Sequence, residues 1–107
     1  MTICRQWRGW TIPDQADAYQ AIVLNDVIPG IEARRIAGFL HIDVMRRELG
    51  DEVEFQTLMW FDNLESIRAF VGEDVSVSHV PAAARAVLNR FDERAAHFDI
   101  LDRRAQP

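Results

Sequence analysis

The sequence predicts an α+β domain in which helices cover one face of an antiparallel sheet. Three observations lead to this prediction. Residues 53–61 are rich in β-branched and aromatic types and run directly into residues 62–72, whose apolar side chains recur at helical spacing before a glycine. The turn Leu49-Gly50-Asp51-Glu52 separates that strand from an earlier strand-like segment, which is typical of a hairpin. Along the whole chain the elements follow as strand, helix, strand, strand, helix, short helix and strand.

The N-terminal part begins with a strand and a helix. Residues 2–11 form the predicted first strand, with Arg5 and Trp7 on one of its faces. Pro13 opens the helix, because proline is favoured in a first turn. At Pro29-Gly30 we expect a kink or break, since proline removes an amide donor and disfavours helical geometry in the residue before it.

The central hairpin leads into the second helix. Its strands are predicted over residues 39–48 and 53–61. The side chain of either Asp62 or Asn63 would accept hydrogen bonds from the free amides of the first helical turn. Gly72 stands where a left-handed C-cap is expected, so the helix should end there.

The C-terminal part is predicted as an irregular segment over residues 73–80, a short helix from Pro81, and a last strand over residues 97–101. The complete order matches the split βαβ plan of a ferredoxin-like domain.

Such a sheet has a second face that the helices leave uncovered. In this chain that face includes apolar residues such as Met45, Leu101, or Leu58 and Trp60. Exposed apolar sheet surface is normally a partner site, and a symmetric dimer is the simplest way to cover it. We therefore predict a homodimer.

Composition and charge exclude several classes of protein. The 107 residues suffice for one domain, and no apolar run approaches the roughly 20 residues that a membrane helix needs. The net charge of −5 argues against a nucleic-acid partner. The N-terminus lacks the pattern of a signal peptide, so we expect a cytoplasmic protein without a membrane partner. With a single cysteine, no dinucleotide glycine motif and no cluster of metal ligands, we also expect no cofactor and no metal.

Six short segments, spread over nearly the whole chain, carry a family resemblance. They are Trp7-Arg8-Gly9, Pro29-Gly30-Ile31, Met45-Arg46-Arg47-Glu48, the junction from Trp60 to Asn63, Phe70-Val71-Gly72-Glu73-Asp74, and Arg90-Phe91-Asp92-Glu93 ahead of His97-Phe98. Together they resemble the antibiotic biosynthesis monooxygenase (ABM) domain family, especially its small stand-alone members. The resemblance implies a dimeric α+β barrel, in which two sheets pack face to face. It also implies a choice of activities, since some members oxidise polycyclic phenols with oxygen and no metal or flavin, some degrade haem, and some act on quinols.

The same resemblance suggests site residues. Trp60 stands at the strand end where the polycycle-oxidising members have a tryptophan, and Gln56 stands where they use a side-chain amide. Ser66 lies where they carry a tyrosine. His79 falls close to the position of the axial ligand in haem-degrading members, but Trp7 stands where those members have an asparagine, which disfavours haem degradation.

The candidate catalytic residues are therefore His79, Gln56 and Trp60. A histidine can accept protons near neutral pH, although a histidine on an irregular segment can equally be a surface or capping residue. Strand alternation places Gln56 and Trp60 on one face, where an amide would stabilise an oxyanion and an indole would line an apolar pocket. The candidate substrate-binding residues, for which core packing is the alternative, are Trp7, Tyr19, Trp60 and Phe70.

Two other histidines share a strand face with an aspartate. His41 pairs in this way with Asp43, and His97 with Asp99. Each could be an oriented base, but a polar pair at the dimer contact is the favoured interpretation.

Two functions from different classes are consistent with this pattern. The first is a cofactor-independent monooxygenase that acts on an electron-rich aromatic, such as a phenol or quinol, which can reduce oxygen once it is deprotonated. The second is a small dimeric protein that binds a ligand, or is associated with stress, and performs no turnover. An apolar cavity without a satisfied proton acceptor would favour the second.

Overall fold

The computed structural model describes residues 2–107 and contains one five-stranded antiparallel sheet with helices against one face. The strands are β1 (Ile3–Thr11), β2 (Phe39–Glu48), β3 (Val53–Phe61), β4 (Arg90–Phe91) and β5 (Ala96–Asp99). The helices are α1 (Ala16–Ile22), α2 (Ile28–Ala33), α3 (Leu64–Val71) and α4 (Ala82–Val87). This is the predicted ferredoxin-like α+β architecture. None of the helices within residues 2–107 is long and apolar enough to cross a bilayer.

Strand β1 lies at the centre of the sheet. On one side it pairs with β3 along its full length, from Ile3 opposite Phe61 to Thr11 opposite Val53. On the other side it pairs with β5 at its beginning and with β4 near its end, where Gly9 lies opposite Phe91. Strand β2 forms the outer edge through its hairpin with β3.

The predicted kink or break at Pro29 is not a break: the helical region continues to Ala33, with an irregular turn ahead of the proline. A 3₁₀ turn at Pro13–Gln15 leads into α1, and a π-helical segment, Val23–Val27, joins α1 to α2. Ile28, directly before the proline, has helical dihedrals of −63° and −49°. The wider π-helical turn shifts the hydrogen-bond register just ahead of Pro29, which lets the ring and its missing amide be accommodated inside a continuous helix.

Helix α3 begins and ends near the predicted residues. Of the two candidate caps, Asn63 is the one observed, since its side-chain oxygen accepts from the Ser66 amide at 3.0 Å. At the C-terminus Gly72 has a φ of +94°, which only glycine adopts without strain.

The C-terminal region departs from the prediction in two details. Strand β4 was not predicted, and the last strand is Ala96–Asp99 rather than residues 97–101. The irregular segment 73–80 forms an isolated bridge between Val77 and Arg94. This bridge ties the segment to the stretch between β4 and β5.

The core lies between the sheet and the helices. Side chains at the odd-numbered positions of β3 point into it: Val53, Phe55, Thr57, Met59 and Phe61. Four of them pack in two clusters, Val53 and Phe55 around Tyr19 of α1, and Met59 and Phe61 around Ile67 of α3. The even-numbered positions point to the other side of the sheet, which we call the open face because no helix covers it.

Candidate functional site

Strand alternation divides the candidate site residues between the two faces of the sheet. Trp7 points towards the helices, and with Tyr19, Phe70 and His79 it lines a cavity inside the protein. Gln56 and Trp60 lie at even-numbered positions of β3 and therefore on the open face. The expectation that Gln56 and Trp60 share one strand face is confirmed, but the structure does not bring them together with His79 in one cavity.

The interior cavity lies between the sheet, the first helical region and the segment that carries His79. Its volume is about 50 Å³, and its walls are mostly aliphatic. Its polar lining residues are Arg5, Tyr19, Thr57 and His79. A space of this size holds one or two small molecules, because a water occupies roughly 30 Å³ in the liquid.

A groove of about 280 Å³ adjoins this cavity and is more open to solvent. Val27, Ile31 and His79 border both spaces, so His79 stands between them. Asp26 and Arg34 contribute charged groups to the groove. The two volumes together fall near the lower end of the roughly 300–1,000 Å³ that small-molecule sites occupy.

Arg5 is the most unusual residue of the cavity. It is only 3% exposed, and no carboxylate forms a salt bridge with it among residues 2–107. Burial lowers the pKa of Arg5 to about 10, so the guanidinium remains charged at neutral pH. It donates to the carbonyls of Val75 and Val77, the latter at 2.5 Å, and lies 3.0 Å from Nε2 of His97. The cavity therefore contains a buried cation that forms no ion pair with a carboxylate in the described part of the chain.

The ring of Phe70 contacts two arginines and His79. The guanidinium carbons of Arg5 and Arg34 each lie 5.5 Å from the ring centre of Phe70, within the range of cation–π attraction. The His79 ring packs against the same phenyl ring at a centroid distance of 5.0 Å. Burial, Arg34 and Arg5 lower the pKa of His79 below its ordinary value of 6.5. His79 is therefore neutral at pH 7 and able to accept a proton.

Two side chains of β1 hold the segment that carries His79. Arg5 binds its carbonyls at Val75 and Val77, and the indole nitrogen of Trp7 donates to the Asp92 carbonyl at 2.8 Å and approaches Ser78 Oγ at 3.2 Å. Ser78 also donates to the Asp92 carbonyl at 2.5 Å. Trp7, predicted to bind substrate, thus also anchors the residue directly before His79.

Tyr19 combines core packing with a place on the cavity wall, the two alternatives that the sequence left open. Its ring packs edge-on against Phe55 at 4.7 Å between centroids, and burial raises the pKa of its hydroxyl. The hydroxyl is therefore a neutral hydrogen-bonding group rather than a base.

The open face contains its own arrangement of candidate residues. Gln56 accepts a hydrogen bond from Gln6 at 3.1 Å, and the Trp60 ring stacks on His41 at 4.4 Å. The indole nitrogen of Trp60 is buried without a hydrogen-bond partner among the described residues. Met45 and Phe98, on the same face, are 43% and 53% exposed.

Sequence reasoning missed Arg5 and Arg34. A signal for Arg5 was present, because alternation places this charge on the same strand face as Ile3 and Trp7. Arg34 gave no such signal, since its contact with Phe70 depends on how α2 packs against α3.

These features define a small α+β protein with an electropositive, largely apolar pocket beneath its sheet. No known family profile and no curated protein matches the sequence. Solved structures do match: a proposed antibiotic biosynthesis monooxygenase from Bacillus cereus has a TM-score of 0.67 at 9% identity, covering 98% of both chains. A proposed member from Chloroflexus aurantiacus has a TM-score of 0.60 at 18% identity over 98% of both chains. SnoaB, a cofactor-independent oxygenase from Streptomyces nogalater, has a TM-score of 0.62 at 14% identity over 95% of both chains.

The chain has the fold of the antibiotic biosynthesis monooxygenases. The resemblance found in the sequence is thereby confirmed at the level of the fold, over nearly the whole chain.

Proposed function

We propose that this protein is a cofactor-independent monooxygenase that oxidises an electron-rich phenol or quinol in the pocket between its sheet and its helices. The observation that carries the proposal is the buried, carboxylate-free guanidinium of Arg5, which lines the same apolar cavity as the neutral imidazole of His79. An anionic substrate would supply the charge that Arg5 lacks. The fold shared with SnoaB supports the choice of reaction.

The first step is deprotonation of the substrate. His79 accepts the phenolic proton, and the phenolate that forms is stabilised by the positive charge of Arg5. Because the cavity around Arg5 is largely apolar, this charge is screened less than it would be in water. A phenolate reduces oxygen far more readily than the neutral phenol, so the protein needs no bound redox group to begin the reaction.

The second step transfers oxygen to the ring. The phenolate gives one electron to O₂, and the two radicals combine to form a carbon–oxygen bond para to the phenolate. The O–O bond then breaks as the para C–H proton leaves, so that one oxygen atom becomes a quinone carbonyl and the other leaves as water. That water contains both protons that the substrate loses, the phenolic proton delivered by His79 and the para C–H proton, and the four electrons that O₂ gains come from the substrate.

The volumes favour a substrate with one or two rings. The cavity of about 50 Å³ is too small for the ring system and suits O₂. The ring system therefore occupies the groove. Gln56 lies on the open face, so in this proposal Arg5 takes the anion-stabilising role that the sequence suggested for Gln56. Trp60 likewise contributes to the open face rather than to the pocket.

Oxidation of 1-naphthol to 1,4-naphthoquinone tests the proposal. The reaction consumes one O₂ per naphthol, and labelled ¹⁸O₂ should place one heavy atom in the quinone. His79→Gln should abolish most of the turnover, whereas His41→Gln, on the open face, serves as the matched control. Oxygen consumption that is equal in the wild type and in His79→Gln would contradict the proposal.

Binding without turnover is the second candidate function, and the small volume of the interior cavity favours it. In that case 1-naphthol would quench tryptophan fluorescence with saturation, while no quinone would form in air.

A homodimer belongs to the same proposal. The open face exposes Met45 and Phe98. Packing of two open faces would cover these side chains and surround Trp60.

A further inference from the structure

Arg5 and His97 form a pair on adjacent strands. They lie directly opposite each other in β1 and β5, and Arg5 Nη1 lies 3.0 Å from His97 Nε2. A guanidinium has only donors, so Nε2 must be the acceptor and the ring proton must be on Nδ1. The contact therefore requires a neutral histidine in one tautomer.

The same guanidinium holds the backbone that leads to His79. Its two terminal nitrogens donate to the carbonyls of Val75 and Val77, and Val77 precedes His79 by two residues. The segment is also tied to the following stretch, since Ser78 N donates to the Glu93 carbonyl at 3.3 Å and Ala95 N to the Ser76 carbonyl at 2.8 Å. The orientation of Arg5 thus affects where His79 stands.

We propose that His97 is a positioning residue of the pocket: its neutral imidazole fixes the Arg5 guanidinium, which in turn fixes segment 75–79 and the imidazole of His79. This inference extends the proposed function, because it assigns a role to a residue that does not line the cavity. Protonation of His97 would place an N–H donor and a positive charge against a guanidinium, so the contact would break and the segment would loosen.

The charged groups near His97 lie on β1, on β5 and in the neighbouring segment. Arg5 faces it from β1, and Asp99 lies on the same face of β5, opposite Ile3. Asp74, in the neighbouring segment, is paired with Arg94. Burial and the charge of Arg5 lower the pKa of His97 below 6.5, so the neutral, holding form predominates at pH 7 and is lost only in acid.

Two substitutions separate positioning from simple packing. His97→Gln keeps an acceptor within reach of Arg5 but removes the titration, whereas His97→Leu removes both. His41→Gln is the control, because His41 stacks on Trp60 on the open face. The first readout is independent of catalysis: proton NMR titration of the His79 ring, together with hydrogen exchange of the Ser78 amide, between pH 8 and 5.

In the wild type and in His41→Gln, the His79 resonances should show a second ionisation. The protection of the Ser78 amide, which is the ratio of its intrinsic to its observed exchange rate, should fall in acid. His97→Gln should remove both effects. His97→Leu should show at pH 8 the rapid Ser78 exchange that the wild type shows only in acid. If His79 and Ser78 behave identically in all four proteins, the inference is wrong, whether or not naphthol is oxidised.

The second readout is the pH dependence of 1-naphthol oxidation. On the acid side the rate of the wild type should fall with a slope of two protons, and that of His97→Gln with a slope of one, at similar maximal rates. His97→Leu should lose roughly tenfold or more at every pH, as expected when a hydrogen bond to a charged group is removed. A slope of two in His97→Gln would overturn the inference while leaving the proposed monooxygenase intact. Absence of oxidation in every protein would refute the monooxygenase and leave the NMR result to decide the role of His97.

Discussion

Three glycines allow backbone strain and steric overlap to be measured separately. Gly38, just before β2, has a φ of +84°, and a Cβ added there would lie 2.0 Å from Ser66 Oγ and 3.1 Å from Ser66 Cβ. Gly50, in the hairpin turn, has a φ of +93° but no atom within 4 Å of such a Cβ. Gly30, in α2, has free space and no positive φ. Substitution by alanine should therefore give three different results.

The expected magnitudes follow from these geometries. Alanine at a positive φ costs roughly 1–2 kcal/mol, and it recovers about 0.4–1 kcal/mol by restricting the unfolded chain. Gly50→Ala should thus lower the free energy of unfolding by about 1 kcal/mol or less. Gly38→Ala adds an overlap worth roughly 1–3 kcal/mol, for a total of about 2–4 kcal/mol. Gly30→Ala should stabilise by roughly 0.5–1 kcal/mol, because the position is helical.

Urea unfolding at one protein concentration measures all three variants, and Tm should follow at roughly 4–8 °C per kcal/mol. Ser66→Ala provides the internal control, since it removes the hydroxyl that meets the new Cβ. Gly38→Ala should therefore cost less in the Ser66→Ala background, by about 1 kcal/mol, than in the wild type. If Gly38→Ala is no more destabilising than Gly50→Ala, the junction between β2 and α3 is not packed as described.

The remaining predictions concern the pocket, acid stability and assembly. His79→Gln should lower kcat for 1-naphthol oxidation roughly 10²-fold or more, the usual contribution of a general base, and steady-state oxygen uptake measures it; a loss under threefold would exclude that role. The free energy of unfolding should fall as pH drops below 6.5, because the lowered pKa values of His79 and His97 mean that the unfolded chain binds protons the folded chain resists. Urea titrations at pH 7 and 5 should show that difference shrinking in a His79→Gln/His97→Gln double variant. Sedimentation equilibrium at low micromolar concentration should give the mass of a dimer, as expected for an interface that buries well over roughly 1,000 Å². Met45→Glu should weaken this association. A folded monomer at that concentration would exclude the dimer.

The hairpin and the strand-to-helix junction could be predicted from sequence because local chemistry specifies them. Alternation and turn residues placed β2 and β3 at their observed boundaries, and the positive φ of Gly72 follows from its position after α3. At Pro29 the same local rules predicted a kink or break, and the helix does not break. The π-helical segment Val23–Val27 accommodates the proline within the helix, and its residues Val23 and Val27 pack into the core clusters.

The pocket was harder to predict because its essential contacts join distant parts of the chain. His79 and Phe70 were identified from their local sequence, and the structure places them in contact. Arg5 was visible as a charge on an inward strand face, but its acceptors lie 70 and 72 positions away. The positions of Gln56 and Trp60 show the reverse case: alternation grouped them correctly, but the covered face could be decided only once the helices were placed.

The central position of β1 has a consequence for the order in which the protein can be completed during synthesis. Strand β1 receives its last neighbour from β5, which is synthesised much later, since Arg5 and His97 are separated by 92 positions. At a synthesis rate of roughly 5–20 residues per second, the edge of β1 and its inward side chains remain without this neighbour for roughly 5–20 s. Until β5 has been synthesised, a nascent chain would therefore display an unpaired edge of β1, which makes β1 the natural place for a chaperone to bind.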